Sequence, residues 1–198
     1  MKVTLNRAYE MVSAMQKCVR RSKLNDAGFW FFGLCEGGFT AMALHRLRVT
    51  CHEDIGYNDW TSALYALKCI DDAEAMLKAK KMGWRNAAAN ALMALCAARK
   101  NRAADHFQCA CRGRFLSNPE KAVPDFALDK HTRRGKSMKR GFDHFRQVGA
   151  KLSPNYNKQD EWEDEAYGYW KSGIFDQKKD KSPEPADMEP QEQKSFLQ

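Results

Sequence analysis

The feature that most constrains this chain is a succession of apolar stripes recurring every three to four residues. No useful stretch of alternating β-branched residues interrupts them before residue 118. A stripe of that period can be buried only along one side of a helix, so the first two-thirds of the chain is read as all-α. Ala8, Met11, Val12, Met15 and Val19 form the first stripe, on a helix expected from an Asn6 N-cap to Arg21, with Lys17, Arg20 and Arg21 on its far side. A second helix from Asp26 reads AGFWFFGLCE, apolar on almost every side and central to the core, with Trp30 inside it. Gly37 and Gly38 end it. Phe39 to Thr50 continues as a third helix, with Met42, Leu44, Leu47 and Val49 partly buried, and leads into the acidic corner Cys51, His52, Glu53, Asp54, Ile55, Gly56.

Asn58 or Asp59 caps a fourth helix over 61–80, with Leu64, Leu67, Ile70, Ala73 and Leu77 as its stripe and Gly83 closing it. The fifth, Arg85 to Arg99, is rich in alanine, which lets neighbouring helices approach closely. The sixth, Asn101 to about Phe115, turns Ala103, Phe107, Ala110 and Cys111 inward. Six helices joined by short connections predict a compact bundle with antiparallel neighbours over residues 1–118. Residues 119–175 then form a different region. Ala122 to Asp129 reads as extended, because Pro124 pushes Val123 out of the helical region. A basic helix ending near Ser153-Pro154 and a short acidic, aromatic helix over 161–171 follow. In the remainder, 176–198, Lys, Asp, Glu, Pro and Gln dominate, and the expectation is disorder.

Charge is divided unevenly. The chain carries 33 basic against 25 acidic residues, but residues 160–198 hold eleven acids against five bases, leaving 28 bases against 14 acids in the first 159. A basic body with an acidic tail suits nucleic acid or an acidic protein partner. The excess is densest in DKHTRRGKSMKRGFDHF, residues 129–145. From Lys130 to Arg146 there are seven Lys or Arg against Asp143 alone, with His131, His144, Phe142 and Phe145 interleaved. Met138, Phe142, Phe145, Gly149 and Leu152 share one helical face, and Lys136, Lys139, Arg140 and Asp143 another. One side docks, through Phe142 and Phe145, and the other meets solvent. The candidate phosphate contacts are therefore Lys130, Arg133, Arg134, Lys136, Lys139 and Arg140. The plainer reading of the same pattern is a solvated amphipathic helix with Asp143 paired to Lys139, Arg140 and Arg146, each pair contributing about 0.2–0.5 kcal/mol.

Other classes find less footing. No run of about 18 apolar residues is present and the N-terminus lacks a signal-peptide core, so a soluble, cytoplasmic protein without membrane contact is expected. Seven cysteines, an odd number spread along the helices, read as reduced core thiols, and no CxxC pair prepares a zinc site. Glu53-Asp54 near His52, or Asp129 and His131 with Asp143 and His144, can be drawn as Mg²⁺ ligands of a nuclease. Glu53 and Asp54 are read first as caps for the helix near Asn58 or as partners of Arg46 or Arg48. Trp162, Tyr167, Tyr169 and Trp170 stand among acids that repel phosphate, which favours packing over base stacking. No cofactor, metal or catalytic residue is expected.

From Tyr9 to Gly56 the order of residues resembles the region beyond the ATPase core in the MgsA/RarA group of replication-associated recombination ATPases and their Werner-helicase-interacting relatives. The residues that carry it are Tyr9, Met11, Val12, Ser13, Ala14, Lys17, Asp26, Ala27, Trp30, His45-Arg46-Leu47 and Glu53-Asp54-Ile55-Gly56, with Arg99-Lys100-Asn101 and Asp105 further on. Trp30, Arg46, Glu53, Asp54 and Gly56 match the most specific positions. The resemblance covers roughly residues 7–115 and fades after Val123-Pro124, where the basic segment replaces the family's ending. No GxxxxGK[ST] phosphate loop occurs.

The resemblance implies a stand-alone version of the family's helical C-terminal part, a clamp-loader-collar-like bundle that holds subunits together as a tetramer. Taken with the residues themselves, three functional expectations stand. The first is a non-enzymatic, self-associating module of DNA replication, recombination and repair, homotetrameric, nucleoid-associated and bound to DNA through its basic segment. The second is an interaction factor, viral or encoded by a mobile element, that mimics or joins a host replication-associated ATPase or single-strand-binding machinery. The third is the metal-dependent nuclease.

Overall fold

The computed structural model describes residues 3–156, 160 and 162–175. They are helical, with no strand among the described residues, and they divide between Lys121 and Ala122 into two compact units. The expectation of disorder for 176–198 lies outside them.

The first unit contains α1 (Leu5–Arg20), α2 (Leu24–Glu36), α3 (Thr40–Asp54), a 3₁₀ turn (Gly56–Asp59), α4 (Trp60–Lys78), α5 (Trp84–Ala97) and α6 (Ala103–Ser117). α3 is the hub, touching α1, α2, α4, α5 and α6. Its buried face, Ala43, Leu44, Leu47 and Cys51, shares one core with the predicted stripe of α1, in which Ala8, Met11, Val12, Met15 and Val19 are all buried. Phe31, Leu34, Ile55, Ile70 and Leu95 complete the centre, each worth about 1.5–3 kcal/mol when withdrawn from water. α4 and α5 pack most extensively, and small residues line their buried faces: Ala63, Ala66, Cys69 and Ala73 on one, Ala88 and Ala91 on the other.

Several boundaries and faces differ from expectation, each for a local reason. Thr4, not Asn6, caps α1, its Oγ1 accepting from Arg7 N at 3.3 Å. α2 ends as predicted: Gly38 takes the left-handed conformation at φ +87° and Phe39 N returns to Leu34 O at 2.8 Å. It buries one stripe, Ala27, Phe31 and Leu34, whereas Phe29 is 70% exposed, so the FWFFGL run is not enclosed on every side. Trp30 is half-buried against the core, with the Arg7 guanidinium 5.5 Å from its ring centre. α4 is rotated so that Ala63 and Ala66 replace Leu64 inside; Leu64 is exposed. Lys80, at φ +53°, follows the end of α4, and Gly83 instead precedes α5. The largest correction concerns α6, which buries no residue. Its first turn is half-buried, but Phe107 and Ala110, expected inward, are exposed, because beyond that turn the helix runs past the core.

All seven cysteines are free thiols, of which Cys51, Cys69 and Cys96 are buried. Burial pushes the thiols of Cys35 and Cys51 up to about 11, so they stay protonated and inert. Cys109 is exposed and so does not fit the core-thiol expectation. No helix among the described residues is long and apolar enough to cross a membrane.

The second unit comprises a 3₁₀ turn (Asp125–Ala127), α7 (Arg133–Ser137), α8 (Phe142–His144), which runs into a π-helical turn (Phe145–Gly149), and α9 (Glu163–Ser172).

Candidate nucleic-acid interface

Asp129 organises the basic segment. It is buried, and its side chain accepts from His131 N at 2.9 Å while His131 Nδ1 lies 3.0 Å from the other oxygen. Those hydrogen bonds hold its carboxyl below the usual carboxylate range. Its carbonyl accepts from the backbone N and the Oγ1 of Thr132 at 3.1 and 3.0 Å, and Thr132 Oγ1 in turn accepts from Gly135 N at 3.0 Å, capping α7. Gly135 passes so close that a Cβ there would sit 1.9 Å from Asp129 O. Any other residue at 135 collides with backbone.

The continuous basic helix predicted from the 138–152 spacing is broken. α7 stops after one turn because Lys139 adopts φ +56°, with Lys139 N bonded to Lys136 O at 2.9 Å and Arg140 N to Gly135 O at 3.1 Å. This turn sends Arg140 back to the start of the unit. There its guanidinium donates to the Asp125 carboxylate at 2.6 Å and to the carbonyls of Asp125 and Leu128 at 2.8 and 2.9 Å. The Arg140 side chain retains 16% exposure, and its hydrogen bond keeps the Asp125 carboxyl low.

The seven cations of the segment thus separate into two groups. Arg140 is an internal clamp. Arg146 pairs with Glu163 and Asp164 on α9 at 3.2 and 2.6 Å and lies 4.1 Å from the centre of the Tyr167 ring. Lys130 points its ammonium at Phe142, Phe145 and Trp170, 4.6, 5.7 and 5.7 Å from their centroids. Arg133, Arg134, Lys136 and Lys139 are exposed and make no ion pair among the described residues. Asp143, expected to pair with Lys139, Arg140 or Arg146, instead accepts a hydrogen bond from the Tyr167 hydroxyl. Phe142 and Phe145 pack inside the unit: Phe142 stacks on Tyr167 at 5.5 Å and meets Trp170 edge-on at 4.5 Å, and His131 meets Phe145 at 4.8 Å.

The acidic corner of the first unit is also built differently from expectation. Glu53 and Asp54 engage neither Arg46 nor Arg48 and do not cap the helix near Asn58. Arg48 turns to Asp71 and Glu74 on α4, Arg46 Nε is buried without a partner among the described residues, and Asp59 caps α4 by accepting from Ser62 N. Arg20 and Arg102 take their place. Arg20 reaches Asp54 at 2.7 Å and Glu53 at 3.2 Å; Arg102 reaches Glu53 at 3.0 Å, Asp54 at 3.4 Å and Asp105 at 2.5 Å; Gln16 Nε2 donates to Glu53 at 2.6 Å. Asn101 N donates to Asp54 O at 2.7 Å, tying the start of α6 to the end of α3. Gly56, at φ +51°, makes the turn out of that corner. The signal for Arg20 and Arg102 was Asp54 itself: a carboxylate with 1% exposed side chain must have a cationic partner, and every Arg brought near by helix packing was a candidate.

His52 is exposed, outside the network. No grouping of three or more His, Cys, Asp or Glu residues able to hold a metal ion occurs among the described residues, so neither carboxylate and histidine set drawn from the sequence converges there. No protein-family model matches the chain, and no curated protein matches it either.

Proposed function

We propose that the chain is a non-enzymatic, self-associating helical module serving DNA replication, recombination and repair. In this reading it binds DNA through Arg133, Arg134, Lys136 and Lys139, in the cytoplasm at the nucleoid. The observation that carries the reading is the division of the basic segment. Arg140, Arg146 and Lys130 have close internal partners, while these four form no ion pair among the described residues and stand exposed around one short turn. Free cations of this kind bind phosphate through counterion release, independently of sequence. The resemblance of residues 7–115 to the MgsA/RarA collar region supports the tetrameric, replication-linked part of the proposal.

A salt titration of duplex binding tests it. Four phosphate contacts predict a log–log slope of about −3.6. Charge reversal in R133E/R134E should lower both affinity and slope, and absence of binding at low salt would sink the proposal. Light scattering should give the mass of a tetramer.

A second reading, an interaction factor that co-assembles with a replication-associated ATPase, draws on α6. Its Phe107, Phe115 and Leu116 are 69%, 65% and 66% exposed, more apolar surface than a helix facing only solvent needs. DNA-independent capture of such an ATPase, lost in F107E, favours this reading over direct DNA binding.

A further inference from the structure

The second unit also contains a cleft of about 940 Å³, lined by Phe142 and Phe145, by Tyr167 and Trp170, which pack directly against Phe142, and by Trp162. That volume lies at the upper end for small-molecule sites. The acids of α9 argue against phosphate at first sight, but Arg146 lines the cleft and pairs with both Glu163 and Asp164, offsetting one of their two negative charges. Lys151, at the rim, is exposed and forms no ion pair among the described residues. Trp162 keeps 65% of its surface in water. Its ring is thus available, whereas Phe142 and Trp170 already receive Lys130, and Tyr167 receives Arg146. The lining includes Arg146 and Gln147 of the π-helical turn, a geometry that widens a helix and recurs at functional sites.

We propose that this cleft takes unpaired nucleobases, stacked on Trp162 and the aromatic residues that line the cleft with it, so that the protein prefers single-stranded to duplex DNA. The inference rests on the nucleic-acid reading above and deepens it. The exposed cations supply sequence-independent attraction for either form, and the cleft adds a contact that only a splayed base can make. A neutral, flat base suits a lining that keeps some negative charge at Glu163 and Asp160, while Lys151 supplies a cation for the phosphate that follows the base. Stacking of this kind tolerates any base.

The test uses the full chain and three labelled probes of equal length at low salt: an oligo-dT strand, an abasic strand with the same phosphates, and a duplex. Stacking of one base on one aromatic ring predicts about tenfold tighter binding of oligo-dT than of the abasic strand. W162A should remove that difference, and W162F should restore most of it. Trp162 is exposed enough for either change to leave the unit folded. Equal affinity of the wild-type chain for oligo-dT and the abasic strand overturns the inference while leaving the phosphate reading intact, as does an unchanged preference in W162A. Failure of all three probes to bind removes the nucleic-acid reading itself.

Discussion

Removing Arg20 tests the physical account of the acidic corner most directly. Asp54 is enclosed, its Oδ2 has no hydrogen-bond partner among the described residues, and its Oδ1 depends on Arg20 Nε at 2.7 Å and Arg102 Nη1 at 3.4 Å. The shorter contact is a full charge-assisted hydrogen bond, and the longer is a weak one. In R20A the carboxylate stays buried with only the weak contact, which places the cost near the lower end of the range for breaking a buried pair, about 3 kcal/mol. For a unit of this size that is a fall in melting temperature of roughly 10 °C. D54A removes the stranded charge along with the bond, so R20A/D54A should be less destabilised than the two single variants summed, by about 2 kcal/mol. The control is R7A. Arg7 pairs with Glu10 on the open surface of the same helix and lies 5.5 Å from the centre of the Trp30 ring, so its loss should cost at most about 1.5 kcal/mol. Urea unfolding of the full chain, followed by far-UV circular dichroism, reads all four variants. An R20A cost no larger than that of R7A, or additivity in the double variant, would refute the claim that Asp54 depends on Arg20.

Gly135 and Gly141 lie six residues apart in the basic segment and should respond oppositely to alanine. G135A drives a Cβ into the Asp129 carbonyl and should cost more than about 3 kcal/mol, seen as loss of the near-UV aromatic signal of the second unit. G141A meets nothing within 4 Å and should leave that signal unchanged. The α4–α5 interface should distinguish alanines that look equivalent in sequence. A91L overpacks a fully buried site and should cost about 1–3 kcal/mol in urea unfolding, while A97L, on the exposed side of α5, should be near neutral. Acid should weaken the hub of the second unit. Because the Asp129 carboxyl is lowered in the folded state, the stability it contributes is complete above the unfolded value of about 3.9 and is lost as pH falls through the folded one. The gap in melting temperature between wild type and D129N should therefore shrink from pH 6 to pH 3, and a constant gap would contradict the assignment.

The fold was readable wherever burial follows helical period within one element. The α1 stripe needed nothing but spacing, and the Gly37-Gly38 ending needed only the left-handed conformation that glycine tolerates. The reading failed where burial depends on a partner. In α4, Leu64 fits a helical stripe as well as Ala63 does, and only close approach of α5 favours the smaller residue. In α6, Phe107 and Ala110 follow the inward period, but beyond its first turn the helix leaves the core, and spacing cannot reveal how far a core extends. The broken basic helix has the same origin. Nothing in Met138 to Arg140 forbids helix; the left-handed turn at Lys139 goes with the contact that Arg140 makes fifteen residues back, at Asp125.

The basic segment illustrates how little a local count of charge decides. Seven cations within seventeen residues read as one phosphate surface, yet three of them are fixed by contacts made elsewhere in the unit: Arg140 by Asp125, Arg146 by α9 and Lys130 by an aromatic cluster. Each such contact removes a positive charge from the proposed binding surface, and at the same time gives the remaining cations a fixed frame. Arg133 and Lys136 present their charge from a turn held in place by Asp129, Thr132 and Gly135, so less ordering is left for a ligand to impose on binding. Replacing a clamp and replacing a free cation should then differ in kind. R140A should lower the stability of the second unit and weaken DNA binding together, whereas K136A should weaken binding at unchanged melting temperature, reducing the salt slope by about one. Parallel calorimetry and binding titrations separate the two, and a K136A variant that melts early would place Lys136 among the clamps.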